Sequence, residues 1–221
     1  WINIYKIPDK ASKSTVARIS DDVLAVCFQD YVPSSNGYDI ICSIVNSKTN
    51  SVTPSKVVDA IGDQTQNYIL EMKEKLILVW NNEDNHHIYG TILNSSLSKL
   101  ISDTPLISGV FYYPGLCTLS DNTLLIYYRD SNNNSFSYQL NNIAENYLNL
   151  NNHKNYTPHQ IINCHGLQNG NVVIAYLNKD LKVYIMIQDI NNVLIKETEL
   201  GGSGSNFEFA ISHLNDILVV W

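Results

Sequence analysis

Apolar residues in this chain fall into short runs broken by polar loops. The clearest is Lys75-Leu76-Ile77-Leu78-Val79-Trp80, followed by the polar stretch Asn81–His87 and then by Ile88-Tyr89-Gly90-Thr91-Ile92. The same phrase returns as Val23–Phe28 with Tyr38–Ile44, as Thr123–Tyr128 with Phe136–Leu140, and as Val172–Tyr176 with Val183–Ile187. A truncated copy, Ile217–Trp221, closes the chain. Runs of this length rich in Val, Ile, Tyr and Trp predict β-strands. Weaker strands flank each phrase. They are Thr15–Ile19 and Val52–Val58, Tyr68–Met72 and Thr104–Ile107, Gly115–Leu119 and Tyr147–Leu150, Ile161–Leu167 and Val193–Glu199, then Phe207–Leu214. Pro105 suits only an edge strand, because proline has no N–H for a ladder. Ile143–Leu150 is the one stretch with a helical turn in it, and a weak one.

The aromatic that ends each second strand sets the register: Phe28, Trp80, Tyr128, Tyr176 and Trp221. Their spacing of about 45–50 residues, with four short strands per unit, is the sequence sign of a β-propeller. A parallel β-helix needs shorter rungs, and a two-sheet sandwich needs no repeat. The chain begins with an alternating strand, Ile2–Ile7, that matches the third strand of a unit, and it ends after a second strand. We therefore expect an all-β propeller of five four-stranded blades in a single domain, residues 1–221. The units fall at 15–58, 68–107, 115–150 and 161–199, with 207–221 completed by 1–14. Such closure removes the free sheet edges that invite aggregation.

The Trp-ended strand, polar loop and Ile-Tyr strand together resemble the degenerate propeller-like repeats of large secreted and cell-surface microbial proteins. Leu78-Val79-Trp80 with Ile88-Tyr89-Gly90 is the best copy, and Val219-Val220-Trp221 the next. The usual Asp-Gly turn is replaced here by Asp21-Asp22, Glu74-Lys75, Asp121-Asn122, Asn169-Gly170 and Asn215-Asp216. The resemblance implies display, adhesion or scaffold roles and carries over no binding residue. The Ser-x-Asp-x-Gly-x-x-Trp boxes of sialidases and the Gly-His/Trp-Asp signature of WD40 blades do not occur.

Composition narrows the partners. Hydrophobic residues make up 44% and charged residues 16% of the 221, a globular balance. A formal charge of −7 without any Lys/Arg cluster argues against nucleic acid and anionic membranes. No apolar run approaches the roughly 20 residues of a transmembrane helix. Bounded by Trp1 and Trp221, the chain is expected to be part of a longer chain or assembly. Asn is abundant and reads as loop chemistry. The four cysteines, Cys27, Cys42, Cys117 and Cys164, lack metal spacing and are expected to be buried thiols acting as small hydrophobes. Cys27 and Cys42 lie on two arms of one hairpin, and one or two disulfides are the alternative.

Candidate chemistry is sparse. The register aromatics could stack on sugars, but their place in apolar strands makes them core between blades. Tyr38, Tyr112 and Tyr113 lie nearer loops and are better contact residues. Arg18, Glu71, Thr118, His165 and His213 stand out among the polar residues on first strands, and grouped at one end they could bind a small polar ligand or, with Glu71 as base, hydrolyse one. Glu208 is the only other first-strand carboxylate. His86-His87 reads as solvated loop, since neighbours in a strand point to opposite faces. Sequons stand at Asn94, Asn133 and Asn155. No metal and no cofactor is expected. The functional expectation is a non-enzymatic, extracellular or cell-surface structural module that displays loops to a protein or glycan partner. A carbohydrate-binding propeller lectin is the alternative, and a glycosidase-like enzyme comes after it.

Overall fold

The computed structural model describes residues 12–33, 37–58, 62–109, 111–120, 122–132, 134–156, 160–167, 169–189, 191, 193–203, 208–211 and 217–220. The strand expected at Ile2–Ile7, His213, Asn133 and Trp221 lie outside these residues. Four antiparallel sheets of four strands each follow one another along the chain. The first is β1 (Ser12–Ser20), β2 (Val23–Val32), β3 (Gly37–Asn46) and β4 (Ser51–Lys56). The second is β5 (Gln64–Met72), β6 (Lys75–Asn82), β7 (His87–Leu93) and β8 (Thr104–Ser108). The third is β9 (Phe111–Ser120), β10 (Thr123–Asp130), β11 (Ser135–Asn141) and β12 (Asn149–Asn155). The fourth is β13 (Gln160–Gly166), β14 (Val172–Leu177), β15 (Lys182–Gln188) and β16 (Leu194–Ser203). A two-stranded sheet of β17 (Glu208–Ile211) and β18 (Ile217–Val220) comes last.

Each sheet is a meander whose neighbours in sequence are neighbours in space, so every connection is a hairpin. Asn and Asp close these hairpins. Asn46 Oδ1 accepts from the N–H of Lys48 and Thr49, and Asn82 Oδ1 from Asp84 and Asn85. Asn178 Oδ1 takes Asp180 and Lys182, and Asp189 Oδ1 takes Asn191 and Val193. A side-chain carbonyl that bonds the backbone two to four residues on satisfies N–H groups the ladder cannot reach. The abundance of asparagine is explained by this recurring use.

Two compact units divide the chain: residues 1–114 with 143–148, and residues 115–142 with 149–221. In the first, Ala17, Ala25, Cys27, Ile40 and Cys42 of the first sheet pack with Ile69, Leu76, Leu78, Trp80 and Leu93 of the second. In the second, Cys117, Leu119, Leu125 and Tyr127 of the third sheet pack with Val172, Ile174, Tyr176 and Met186 of the fourth. The opposite face of the fourth sheet gathers Val173, Ala175, Leu177, Val183 and Ile185. Every residue of β14 is buried, which is why it reads as an unbroken apolar run and not an alternation.

The register aromatics are core. Trp80, Tyr128 and Tyr176 are buried, and each stacks on its cross-strand partner at 5.3–5.8 Å: Tyr89, Phe136 and Tyr184. Such pairs contribute about 0.5–1.5 kcal/mol beyond area burial. Phe28 differs, facing Ile41 and staying half-buried.

Two local expectations change. The outer strand expected at Tyr147–Leu150 lies instead at Asn149–Asn155, a polar segment whose partner is β11. Before it, Ile143–Glu145 makes a single 3-10 turn, and Lys75 Nζ donates to the carbonyls of Ile143 and Ala144 at 3.0 and 2.6 Å. That tie draws residues 143–148 into the first unit. The cysteines, expected as thiols, form two disulfides, Cys27–Cys42 and Cys117–Cys164. The first joins directly opposed residues of β2 and β3, and the second staples β9 to β13. Strand pairing supplied the proximity that spacing alone did not.

Candidate functional site

The first unit collects polar side chains where β2 ends, β3 and β5 begin, and β6 turns into β7. Gln29, Asp39, Gln64, Thr65, Gln66, Asn67, Asn81 and Asn82 are all buried there. Burial of so many polar groups is costly unless hydrogen bonds replace water, and here several separate side-chain bonds do so for most of them. Trp80 Nε1 donates to Gln64 Oε1 at 2.9 Å, and Gln64 Nε2 donates to the Gly62 carbonyl at 3.1 Å. Thr65 Oγ1 donates to Glu83 Oε1 at 2.8 Å, and Thr15 Oγ1 to Asn67 Oδ1 at 2.8 Å. Asn81 Oδ1 is buried without a hydrogen-bond partner among the described residues, an acceptor whose desolvation costs about 1–3 kcal/mol.

A β-bulge between Thr65 and Tyr68 breaks the start of β5, and Gln66 there takes a φ of 52°. Bulges re-aim side chains, and left-handed backbone at a non-glycine residue is a strain that clusters at functional sites. The Gln66 N–H donates to Gln29 Oε1 at 3.3 Å, and Gln66 Oε1 accepts from the Tyr113 N–H at 2.5 Å. Tyr113 itself has a φ of 54° and is 50% exposed. Three strands are thereby held together through two glutamine side chains.

Carboxylates edge this foundation. Asp63 Oδ1 accepts from the Tyr38 N–H at 2.9 Å, and the Glu83 N–H donates to the Asp63 carbonyl at 2.9 Å. Gly62, at a φ of 91°, lies against Asp84: a Cβ there would stand 1.7 Å from Asp84 Oδ2. Gly37 lies against Asp63 in the same way, at 2.9 Å from Oδ1. Glu83 and Asp84 are exposed, Asp63 is half-buried, and Asp39 is fully buried. Tyr31, which is exposed, and half-buried Tyr38 meet edge to face at 5.7 Å across their own hairpin. The arrangement offers hydrogen-bond acceptors on a rigid base beside exposed phenol rings.

Of the residues singled out from sequence, Tyr38, Tyr112 and Tyr113 stand on the elements that build this end of the unit. Arg18 and Glu71 stand at the far ends of β1 and β5. Arg18 is exposed and pairs with Asp21, while Glu71 Oε1 accepts from the Glu74 N–H at 2.8 Å and closes its own turn. In the second unit, the Thr118 carbonyl packs on Gly166, where a Cβ would stand 1.8 Å away. His165, on β13, keeps an exposed side chain, and partial desolvation holds its imidazole below the ordinary value of 6.5. Its charged form is disfavoured in the fold, so the unfolded chain binds that proton more readily and stability is lost as pH falls below 6.5. A urea midpoint lower at about pH 5.5 than at about pH 7.5, with the difference reduced in His165→Gln, is the expected result.

Asn94 Oδ1 accepts from the Ser96 N–H, the Ser96 hydroxyl and the Ser98 N–H, closing a turn. Asn155 is exposed on β12. Among the described residues no three His, Cys, Asp or Glu side chains group as metal ligands, and no helix is long and apolar enough to cross a membrane. First-strand carboxylates drew attention in the sequence. Asp63, Glu83 and Asp84 did not, because they sit in loops. The polar run Gln64–Asn67 at the head of a strand was the one available signal.

No protein-family model matches the sequence, and no curated protein matches it at a significant level. Solved structures do. An α-L-arabinanase from Penicillium chrysogenum, complexed with arabinobiose, matches with a TM-score of 0.68 at 13% identity, over 97% of this chain and 76% of that one. Hydrazine synthase from Kuenenia stuttgartiensis gives 0.65 at 12%, over 93% and 60%. The β-propeller domain of the trilobed protease from Pyrococcus furiosus, described as having an open velcro topology, gives 0.54 at 12%, over 94% and 61%. This chain thus spans about three fifths of the last two. The fold is all-β and propeller-like. An α-L-arabinofuranosidase, an exo-β-1,3-galactanase and a hydrolase in complex with xylotriose are also among the similar structures. That finding corrects the expectation of a non-enzymatic display module: the similar chains are mostly enzymes of glycosides. First strands carry few carboxylates, and the loops of the first unit add Asp63, Glu83 and Asp84.

Proposed function

We propose that this chain recognises carbohydrate, and that the loop end of its first unit is the binding site. The observation that carries this reading is the bonded foundation of Gln29, Gln64, Thr65, Gln66 and Asn67 beneath exposed Glu83, Asp84 and Tyr113. Sugars present hydroxyls in a fixed fan and an apolar ring face. A site for them needs fixed acceptors beside an aromatic surface, held by side chains that do not have to reorganise. The propeller-like structures bound to arabinobiose and xylotriose support this reading by analogy of fold. Two disulfides suit an oxidising compartment, so we place the protein outside the cell.

Glycoside hydrolysis is the second reading, favoured by the gathering of Asp63, Glu83 and Asp84. Hydrolysis of a glycosidic bond uses two carboxyl groups, one as acid and one as base or nucleophile. In that reading Glu83, held by the Thr65 hydroxyl, and Asp63, held by the Tyr38 N–H, are the pair.

Affinity electrophoresis and calorimetry against arabinan, arabinoxylan and galactan test the proposal. Binding that weakens about tenfold in Glu83→Ala and in Tyr113→Ala, a loss of roughly 1.4 kcal/mol each, is expected. Release of reducing sugar that Glu83→Gln abolishes, with binding retained, selects hydrolysis. Absence of binding to all three polysaccharides overturns both readings.

A further inference from the structure

Among the described residues the outermost strand of each four-stranded sheet offers one unpaired edge, and proline blunts two of the four. β4 contains Pro54 and β8 contains Pro105, and neither proline has an N–H to offer a new strand. β12 reads Asn-Leu-Asn-Asn-His-Lys-Asn, with a bulge in its pairing and a lysine near its end. β16 differs. It has ten residues where the other outer strands have six, five and seven, and it contains no proline. Among the described residues it pairs with β15 alone. At its start Val193, Leu194 and Ile195 are 59, 53 and 54% exposed. Two bulges in its pairing and Lys196 restrain this edge, but its length and exposed apolar start leave it open as a template for another chain.

Register defines what that chain must look like. Glu199 stands opposite Tyr184 and Glu197 opposite Met186, on the face where Tyr176 and Tyr184 stack at 5.3 Å. The Tyr176 hydroxyl donates to Glu197 Oε1 at 2.6 Å and the Tyr184 hydroxyl to Glu199 Oε2 at 2.7 Å, so both carboxylates are held in place. Lys182 Nζ reaches Glu199 Oε1 at 2.8 Å, whereas Glu197 is held by a neutral phenol. These hydrogen bonds, with the Lys182 cation, also keep the Glu199 carboxyl below its ordinary value. Lys196 and Thr198 belong to the opposite face, facing Ile187 and Ile185. After a bulge, Leu194 stands opposite Gln188.

We propose that β16 is a docking edge for an extended peptide that carries basic side chains at alternate positions next to an apolar one. The ladder along β16 supplies affinity, as in strand addition generally. Side chains of the added strand on the tyrosine face lie beside Glu197 and Glu199, where lysine or arginine is favoured, and then beside Leu194, where an apolar residue is favoured. The carboxylates are the feature that selects, because backbone pairing alone accepts any strand.

The test uses the whole chain and a fluorescent peptide, Thr-Val-Lys-Val-Lys-Thr-Val-Thr, with a second in which both lysines are glutamates. Hydrogen exchange should slow at residues 194–199 on adding the lysine peptide, and anisotropy should report binding at least about tenfold tighter than for the glutamate peptide. Glu197→Lys should reverse that preference, and Glu197→Gln, which keeps an acceptor for the Tyr176 hydroxyl, should narrow it with little change in the thermal melt. Ile195→Lys, which places a cation at the edge itself, should weaken both peptides. Protection elsewhere, or equal binding of the two peptides, overturns the proposal. So does a concentration-dependent dimer that protects residues 194–199 without peptide, because the occupant would then be a second copy.

Discussion

Replacing both cysteines of the Cys117–Cys164 bridge with serine is expected to lower stability by about 4 kcal/mol. The bridge closes a loop with a sequence separation of 47 residues, and the chain-entropy cost of that loop in the unfolded state sets the magnitude. The bridge also ties first strands of successive sheets, β9 to β13, within a core of Leu119, Leu125, Tyr127, Val172 and Ile174. Breaking it should therefore separate two sheets and not merely loosen a hairpin. The matching change at Cys27 and Cys42 spans a separation of 15 residues inside an already paired hairpin, with about 3 kcal/mol by the same estimate. Urea unfolding of the two double serine variants, read as midpoint and slope, checks the order. A larger loss for the Cys27/Cys42 pair would mean that the hairpin, and not the contact between sheets, limits stability.

The second large effect is expected from Trp80→Ala, at about 3–5 kcal/mol. Trp80 is 1% exposed, packs in the core of the first unit, stacks on Tyr89 at 5.8 Å and gives its indole N–H to Gln64. Truncation leaves a cavity and also takes the indole donor away from buried Gln64 Oε1. Because Gln64 begins the strand that carries Gln66, the loss should reach the candidate site. Trp80→Phe keeps most of the volume and removes the donor. It is expected to cost about 1–3 kcal/mol and to weaken polysaccharide binding, whereas Trp80→Ala lowers the melting temperature further. Stability lost without any change in binding would show that the site does not depend on Gln64.

Much of the architecture was legible in the order of residues. The apolar runs Leu76–Trp80, Leu124–Tyr128 and Val172–Tyr176 lie in second strands, buried on both faces, and their closing aromatics pack between strands. Outer strands were harder to read. β12, Asn-Leu-Asn-Asn-His-Lys-Asn, shows no alternation because it faces solvent and is kept extended by its ladder with β11. The candidate site was harder still. Glu71, the first-strand carboxylate that could serve as a base, closes its own turn, while Asp63, Glu83 and Asp84 lie in loops where no period marks them.

The sequence by itself determined the strands, their order and the aromatic register, because each depends on local periodicity and on the burial that periodicity implies. Only the tertiary structure decided the partners. The joining of Cys117 to Cys164, the chain of Gln29 to Gln66 to Tyr113, and the contact of Gly62 with Asp84 all depend on how strands remote in sequence are brought together. Such pairings involve single side chains and leave no period to read. The physical reason is that a repeat encodes what every copy shares, and a site is made of what one copy does not.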